Sequence, residues 1–195
     1  CLKTGMLHSS EVIEAVCAVI ETHAAEIPVV VDPVMVAKGG ASLLDSDAVG
    51  TLRDRLLPLA HLITPNIPEA EALLEQPIST IDDMKAAAQK LKALGPAAVL
   101  IKGGHMAGDA LSDVLLGEDG FHVFATGRID TVHTHGTGCT LASAIATGIA
   151  QGLALPKAVG RAQAYVVAAI RNAPGFGRGY GPIDHGHTVG PFDGN

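Results

Sequence analysis

The chain has 195 residues, of which 48% are hydrophobic, and its 20 acidic and 13 basic side chains give a net charge of −7. A chain of this length can bury a sizeable core, whereas the acidic balance and the scattered lysines and arginines argue against a nucleic-acid interface or a polybasic membrane anchor. No run approaches the roughly 18 uncharged apolar residues that a membrane span needs. Three cysteines without a CxxC pair indicate free thiols in a reducing compartment, and therefore a cytoplasmic protein.

The first half of the chain alternates between patterns typical of helices and of strands. Apolar residues recur at helical spacing behind Ser9, and the β-branched run Pro28–Met35 is typical of a strand buried on both faces. A second amphipathic helix fits Ser46–Leu57. The run HLITPN predicts another short strand that ends at Pro65, and Pro68 suits the first position of the helix that follows.

The second half continues this alternation. Ser79 and Asp82 resemble a capping box that opens a helix ending at Leu94, and AAVLIKGG predicts a third buried strand. DVLLGEDGFHVFA is typical of a hairpin that turns across Gly117–Gly120, and Pro156 begins the last helix. Strands and helices that alternate with short connections predict an α/β sandwich around a mainly parallel sheet. In such sheets ligands collect beyond the carboxyl ends of the strands.

Polar side chains follow three of the predicted strands. Asp32 can hold Mg²⁺ directly or through water, since hard cations prefer oxygen ligands, or it can cap a nearby backbone. Asn66 and Glu69 lie three residues apart where a strand turns into a helix, so they can face a crevice together or simply form a capping box. Lys102 comes directly after a buried strand, where a phosphate partner and a structural salt bridge are both compatible with its position. The residues alone leave these alternatives open.

The strongest signal is THGTGC, which runs from Thr134 to Cys139 and leads into a helix of small residues. Gly136, Thr137 and Gly138 place backbone amides just before the helix N-terminus, whose partial positive charge and unpaired N–H groups favour an anion. The same position favours the thiolate form of a cysteine, although an isolated Cys139 is also compatible with a packed small side chain. The run lacks the GxxxxGK[ST] pattern and is therefore not a P-loop.

Six ordered motifs together resemble one protein family. They are KTGML, VVVDPVMVAKGG, LLPLAHLITPNIPEAEALL, VLIKGGH, HTHGTGCTLASAIA and GRGYGPIDH, and they extend over nearly the whole chain. The sequence is similar to the hydroxymethylpyrimidine/phosphomethylpyrimidine kinases of thiamine biosynthesis, which belong to the ribokinase-like superfamily. The resemblance implies a ribokinase-like three-layer α/β/α sandwich with a mainly parallel central sheet, and one kinase domain over residues 1–195.

The resemblance also implies roles for individual residues. Gly136, Thr137 and Gly138 match the family's anion hole, and Cys139 matches the catalytic base beside the substrate hydroxyl. Most sugar kinases and many pyridoxal kinases carry Asp at that point, so the cysteine favours the pyrimidine kinases. The resemblance places Asp32, Glu69 and Lys102 at the ATP phosphates. It also places Asp32 and Glu69, together with Asn66, around Mg²⁺. Met6 and Val34 are expected to pack against the pyrimidine ring.

The activity implied by the family is phosphorylation of 4-amino-5-hydroxymethyl-2-methylpyrimidine, and then of its monophosphate, to the diphosphate. The expected cofactors are ATP and Mg²⁺, the expected partner is the small pyrimidine substrate, and the expected assembly is a homodimer. The alternative is a pyridoxal or pyridoxine kinase, since both substrates are flat heteroaromatic rings that carry a hydroxymethyl group.

Two departures from the family bear on these expectations. Thr4 stands where many relatives have Ile, so its hydroxyl needs a hydrogen-bond partner. We also expect the family's glycine-rich opening segment, which supplies a central strand and part of the pyrimidine pocket, to be absent from these residues and to leave sheet edges unpaired. A non-catalytic fragment that depends on such a segment is therefore a third alternative.

Overall fold

Six strands form one sheet in the computed structural model of the chain, which describes residues 1–36, 43–104 and 110–190. In sequence order the strands are β1 (Leu2–Thr4), β2 (Val29–Val31), β3 (Leu62–Ile63), β4 (Val99–Ile101), β5 (Ala110–Gly117) and β6 (Gly120–Gly127), and neighbours in this order are paired. The strands from β1 to β4 run parallel, whereas β5 and β6 form an antiparallel hairpin at one edge. The predicted α/β architecture with a mainly parallel sheet is confirmed.

Helices cover both faces of this sheet and make a three-layer sandwich. They are α1 (Ser10–His23), α2 (Ser46–Thr51), α3 (Ile67–Leu74), α4 (Ile81–Lys92), α5 (Thr137–Ala150) and α6 (Leu155–Arg171). Right-handed crossovers between parallel strands in sequence order place each connecting helix on the same face. The helices from α1 to α4 therefore share one core, whereas α5 and α6 pack on the opposite face. Beyond α2 the chain continues in a π-helical turn, Leu52–Leu56, and a 3-10 turn, Leu57–Leu59.

Successive side chains of each short strand serve different cores. Val29 and Val31 belong to the core under the first four helices, whereas Val30 between them belongs to the core under α5 and α6. In β4, Leu100 belongs to the core under α5 and α6, and Ile101 belongs to the core under the first four helices. Because both faces of the sheet are covered, every position must be apolar, and this explains the continuous β-branched runs in the sequence.

The strand predicted over Pro28–Met35 is shorter than expected, because β2 ends at Val31. The backbone N–H of Val34 donates to the carbonyl of Asp32 at 2.8 Å, so the chain turns immediately after the strand. This turn keeps Asp32 at the carboxyl end of the sheet.

The capping box predicted at Ser79 and Asp82 is wrong by one residue. The hydroxyl of Thr80 accepts from the Asp83 backbone N–H at 3.0 Å, and the Asp83 carboxylate accepts from the Thr80 N–H at 2.9 Å. Thr80 has the extended backbone that an N-cap requires. Pro68 likewise occupies the second position of α3 and not the first.

Two parts of the predicted motifs, the loop at 38–40 and His105, lie outside the described residues. Within the described ranges, none of the helices has the length and apolar character that a bilayer crossing requires.

Candidate active site

Three adjacent strands bring three polar side chains together at the carboxyl edge of the sheet. Asp32 follows β2, Thr64 follows β3 and Lys102 follows β4. The Asp32 Oδ1 atom accepts from Thr64 Oγ1 at 3.1 Å and from Lys102 Nζ at 2.9 Å. Sequence reasoning missed Thr64, although it has the same position after its strand as the other two residues have after theirs.

The ion pair between Asp32 and Lys102 is largely removed from water. Their side chains are 2% and 14% exposed, respectively. The structural salt bridge that the sequence left open for Lys102 is therefore present. Lys102 also contributes to the wall of a cavity, so an anionic ligand bound there would lie beside its side chain.

The first turn of α5 approaches this ion pair closely. A Cβ atom built on Gly138 would lie 3.4 Å from Lys102 Nζ and 3.9 Å from Asp32 Oδ2. Gly136 is the N-cap of α5 and has a left-handed backbone with φ +86°, which glycine adopts without strain. Since the first N–H groups of a helix have no acceptor within it, the turn directs backbone donors to the region beside Lys102.

Cys139 is exposed at the third position of α5. It lines a cleft of about 680 Å³ together with Thr140, Ser143, Tyr165 and His185. The interpretation of Cys139 as a packed small residue is therefore wrong, and its thiol is accessible at a helix N-terminus.

A second cavity, of about 220 Å³, lies on the other side of this turn. Lys102 and Gly138 contribute to its wall, and apolar residues such as Leu141 and Val166 line much of it. In the first turn of α5, Gly138 therefore lines the smaller cavity and Cys139 lines the larger cleft. An anion held by this turn would have access to groups bound in both cavities.

Asp113 of β5 is the acidic group of the smaller cavity. Its Oδ1 atom accepts from the Gly103 backbone N–H at 2.9 Å, and its Oδ2 atom accepts from Gln163 Nε2 at 2.7 Å. Burial raises the pKa of Asp113, although these two hydrogen bonds and the positive charge of Lys102 oppose the shift. The carboxylate joins the end of β4, strand β5 and helix α6 into one wall.

Asn66 and Glu69 form the capping box of α3. Asn66 Oδ1 accepts from the Glu69 backbone N–H at 2.9 Å, and Glu69 Oε2 accepts from the Asn66 backbone N–H at 2.7 Å. Burial raises the pKa of Glu69, and the nearby Lys102 partly offsets this increase. The capping interpretation is therefore confirmed, whereas a role of this pair around Mg²⁺ stays a prediction.

The oxygen atoms near Lys102 fit a magnesium ion that is bound mainly by water and phosphate. In the part of the chain that the structure describes, no group of three or more His, Cys, Asp and Glu side chains could hold a metal ion. Asp32 Oδ2 is the carboxylate oxygen that lies toward Gly138, whereas Asn66 Oδ1 is used in the capping box. Since Mg²⁺ commonly takes one or two carboxylates together with substrate phosphates, Asp32 meets this requirement.

The two residues predicted to contact a pyrimidine ring lie after neighbouring strands. Met6 follows β1 and is 56% exposed, and Val34 follows β2 and is partly buried. Neither belongs to the walls described for the two cavities, so their contact with substrate stays a prediction. The Thr4 hydroxyl is buried and has no hydrogen-bond partner among the described residues, so the partner that the sequence led us to expect is not found there.

Comparison with known proteins gives one consistent family. A family model described as phosphomethylpyrimidine kinase matches residues 1–184. The chain is 54% identical over 185 residues to a thiamine biosynthesis bifunctional protein of Geobacter sulfurreducens, covering 94% of this chain and 37% of that protein. It is 46% identical over 189 residues to the hydroxymethylpyrimidine/phosphomethylpyrimidine kinase of Streptomyces coelicolor, covering 97% of this chain and 69% of that kinase.

Solved structures show the same fold. A pyridoxal kinase of Bacillus subtilis in an ADP complex superposes with a TM-score of 0.86 at 37% identity, covering 95% of this chain and 70% of that one. A phosphomethylpyrimidine kinase of Clostridium difficile superposes with a TM-score of 0.75 at 39% identity, covering 86% of this chain and 68% of that one.

Proposed function

Because this chain belongs to the phosphomethylpyrimidine kinase family, we propose that it transfers the γ-phosphoryl group of ATP to 4-amino-5-hydroxymethyl-2-methylpyrimidine and then to the monophosphate. The chain spans 37% of the bifunctional relative and 69% of the Streptomyces coelicolor kinase, so this activity is proposed for the whole protein. The observation that carries the proposal is the pair of cavities on either side of the first turn of α5.

The smaller cavity suits the nucleotide. Its apolar side chains offer a surface for a flat base, and Lys102 supplies positive charge toward the phosphates. Asp113 and Gln163 hold the wall in place through their hydrogen bond. The similarity to a pyridoxal kinase that binds ADP supports this assignment.

The first turn of α5 suits the transferred group. Phosphoryl transfer proceeds through a loose transition state, so the protein mainly positions the reactants and stabilises negative charge. The backbone amides of Gly138 and Cys139, together with Lys102, supply donors and positive charge at this point. Mg²⁺, when bound near Asp32, would offset further charge on the phosphates.

The larger cleft suits the acceptor alcohol. Cys139 lies in its wall at the N-terminal end of α5, and its side chain is exposed. In the proposed reaction the thiolate accepts the hydroxyl proton while the alcohol oxygen attacks the γ-phosphorus and ADP leaves. Met6 and Val34 do not line this cleft, so a contact between either side chain and the ring remains a separate proposal that rests on the family resemblance.

Cys139→Ala tests this proton transfer. One general base contributes about 10²–10⁴-fold to a rate, so kcat should fall by at least about 100-fold while the KM for ATP stays within about two-fold. The matched control is Cys1→Ser, which changes an exposed cysteine outside the cleft and should leave kcat unaltered. Near-complete turnover by the alanine variant would contradict the assignment of Cys139 as base.

A pyridoxal kinase is the second candidate, since pyridoxal kinases are among the similar structures. Side-by-side turnover of the pyrimidine alcohol and pyridoxal, followed by ³¹P NMR of the products, separates the two. We expect a higher kcat/KM for the pyrimidine and a second phosphorylation of its product. Transfer to pyridoxal alone would favour the second candidate, and transfer to neither would favour the non-catalytic alternative. A homodimer, a cytoplasmic location and a single domain stay predictions.

A further inference from the structure

Residues from a distant part of the chain pack against His135, the residue that precedes the N-cap of α5. The backbone N–H of His135 donates to the carbonyl of Gly181 at 3.1 Å, and His135 forms a parallel bridge with Pro182. Ile183 is only 2% exposed, and the next residue, Asp184, donates its N–H to the carbonyl of Ala169 in α6 at 2.9 Å. The segment 181–184 is therefore anchored both to His135 and to α6.

This anchored segment places His185 on the first turn of α5. The His185 Nε2 atom lies 2.9 Å from Thr140 Oγ1, and Thr140 Oγ1 donates to the carbonyl of Gly136 at 2.7 Å. A hydroxyl has one proton, and Thr140 uses it for Gly136. The His185 Nε2 atom must therefore carry a proton and donate it to Thr140, which defines a chain of donors from His185 to Thr140 to the Gly136 carbonyl.

The backbone of His185 is held as well as its ring. Its carbonyl accepts from the Tyr165 hydroxyl at 2.8 Å, which ties it to α6. His185 and Thr140 both line the cleft that contains Cys139. A histidine held by its backbone carbonyl and by its ring Nε2 atom can keep Gly136 in the left-handed conformation that directs the following amides.

We propose that His185 is a positioning residue for the phosphoryl-binding turn Gly136–Cys139, acting through the Thr140 hydroxyl. This inference rests on the proposed kinase function of that turn. His185 does not bind the transferred group itself. It orients the Gly136 peptide, and through it the amides that stabilise charge in the transition state, so its loss should lower kcat more than it raises the KM for ATP.

The kinetic test uses four variants of the full chain and one control. Since a single hydrogen bond of this type corresponds to about a three- to ten-fold effect, His185→Ala and Thr140→Val should each lower kcat by about that factor with a nearly constant KM for ATP. His185→Gln and Thr140→Ser keep a donor and a hydroxyl, respectively, and should recover most of the rate. The control, His61→Ala, changes a histidine in a different cavity and should have no effect on kcat.

The double variant His185→Ala/Thr140→Val distinguishes positioning from general damage. If the two residues act through one chain of hydrogen bonds, the double variant should be no slower than Thr140→Val alone. Losses that multiply, or a glutamine variant as slow as the alanine variant, would overturn the proposal.

A measurement without turnover keeps the two proposals separable. In ¹⁵N NMR spectra at a pH where His185 is neutral, its ring should be the Nε2–H tautomer. His185→Ala should shift the backbone amide signals of Thr137, Gly138 and Cys139, and His185→Gln should restore them. If the wild-type chain transfers no phosphoryl group but these signals behave as expected, the kinase function fails while the positioning contact stands. An Nδ1–H tautomer, or unshifted amides in the alanine variant, would refute the contact itself.

Discussion

Lys102→Met keeps most of the side-chain volume but removes the ammonium group that lies 2.9 Å from Asp32 Oδ1. The Asp32 side chain is 2% exposed, so its carboxylate would be left in the interior with Thr64 as its remaining described donor. Breaking a buried ion pair in this way costs about 3–5 kcal/mol. Because the Lys102 side chain keeps 14% exposure to water, we expect the lower end, about 3 kcal/mol. For a chain of this size that corresponds to a Tm lower by about 6–12 °C.

Urea denaturation and calorimetry at neutral pH measure this loss, and two controls isolate its cause. Asp32→Asn combined with Lys102→Met removes both charges and should recover most of the free energy of unfolding. Lys85→Met breaks a surface ion pair in which the Lys85 and Asp82 side chains are 39% and 92% exposed, respectively. This substitution should lower the free energy of unfolding by less than about 1 kcal/mol. A loss for Lys102→Met as small as that for Lys85→Met, or a double variant no more stable than the single one, would refute the reasoning.

Two further predictions concern the same region. Gly136→Ala should destabilise the protein by about 1–2 kcal/mol in urea denaturation, since the residue has a φ of +86°, whereas Gly50→Ala, in a helix with open space around it, should stabilise it by about 0.4–1 kcal/mol. Equal effects would contradict the strain argument. Burial raises the pKa of Asp113 from its ordinary 3.8, so the folded state holds that proton more tightly than the unfolded chain does. This contribution to stability is complete at pH values below the pKa of the unfolded chain, and it is lost as the pH rises through the higher pKa of the folded state. The free energy of unfolding of Asp113→Asn relative to wild type should therefore increase from about pH 4 to about pH 7, and a constant difference would count against it.

Local patterns predicted most of the elements because the forces that define them act over a few residues. The β-branched run before Asp32 and the glycines before Cys139 marked a strand end and a helix start, and both features are present. The errors were also local. Thr80 and not Ser79 caps α4, because neighbouring hydroxyl residues fit the same pattern and only the backbone conformation decides between them.

The sequence by itself determined that Asp32 and Lys102 lie close to strand ends and that the glycine run leads into α5, and parallel strands in an α/β sandwich bring their carboxyl ends to one edge. Only the tertiary structure decided what those residues touch. The pairing of Asp32 with Lys102 joins positions 70 residues apart, and the contact of Thr140 with His185 joins positions 45 apart. Such contacts depend on strand register and on how distant segments pack, which no short pattern encodes. The same packing left Cys139 exposed at the wall of a cleft, and thereby separated the two interpretations that its sequence position allowed.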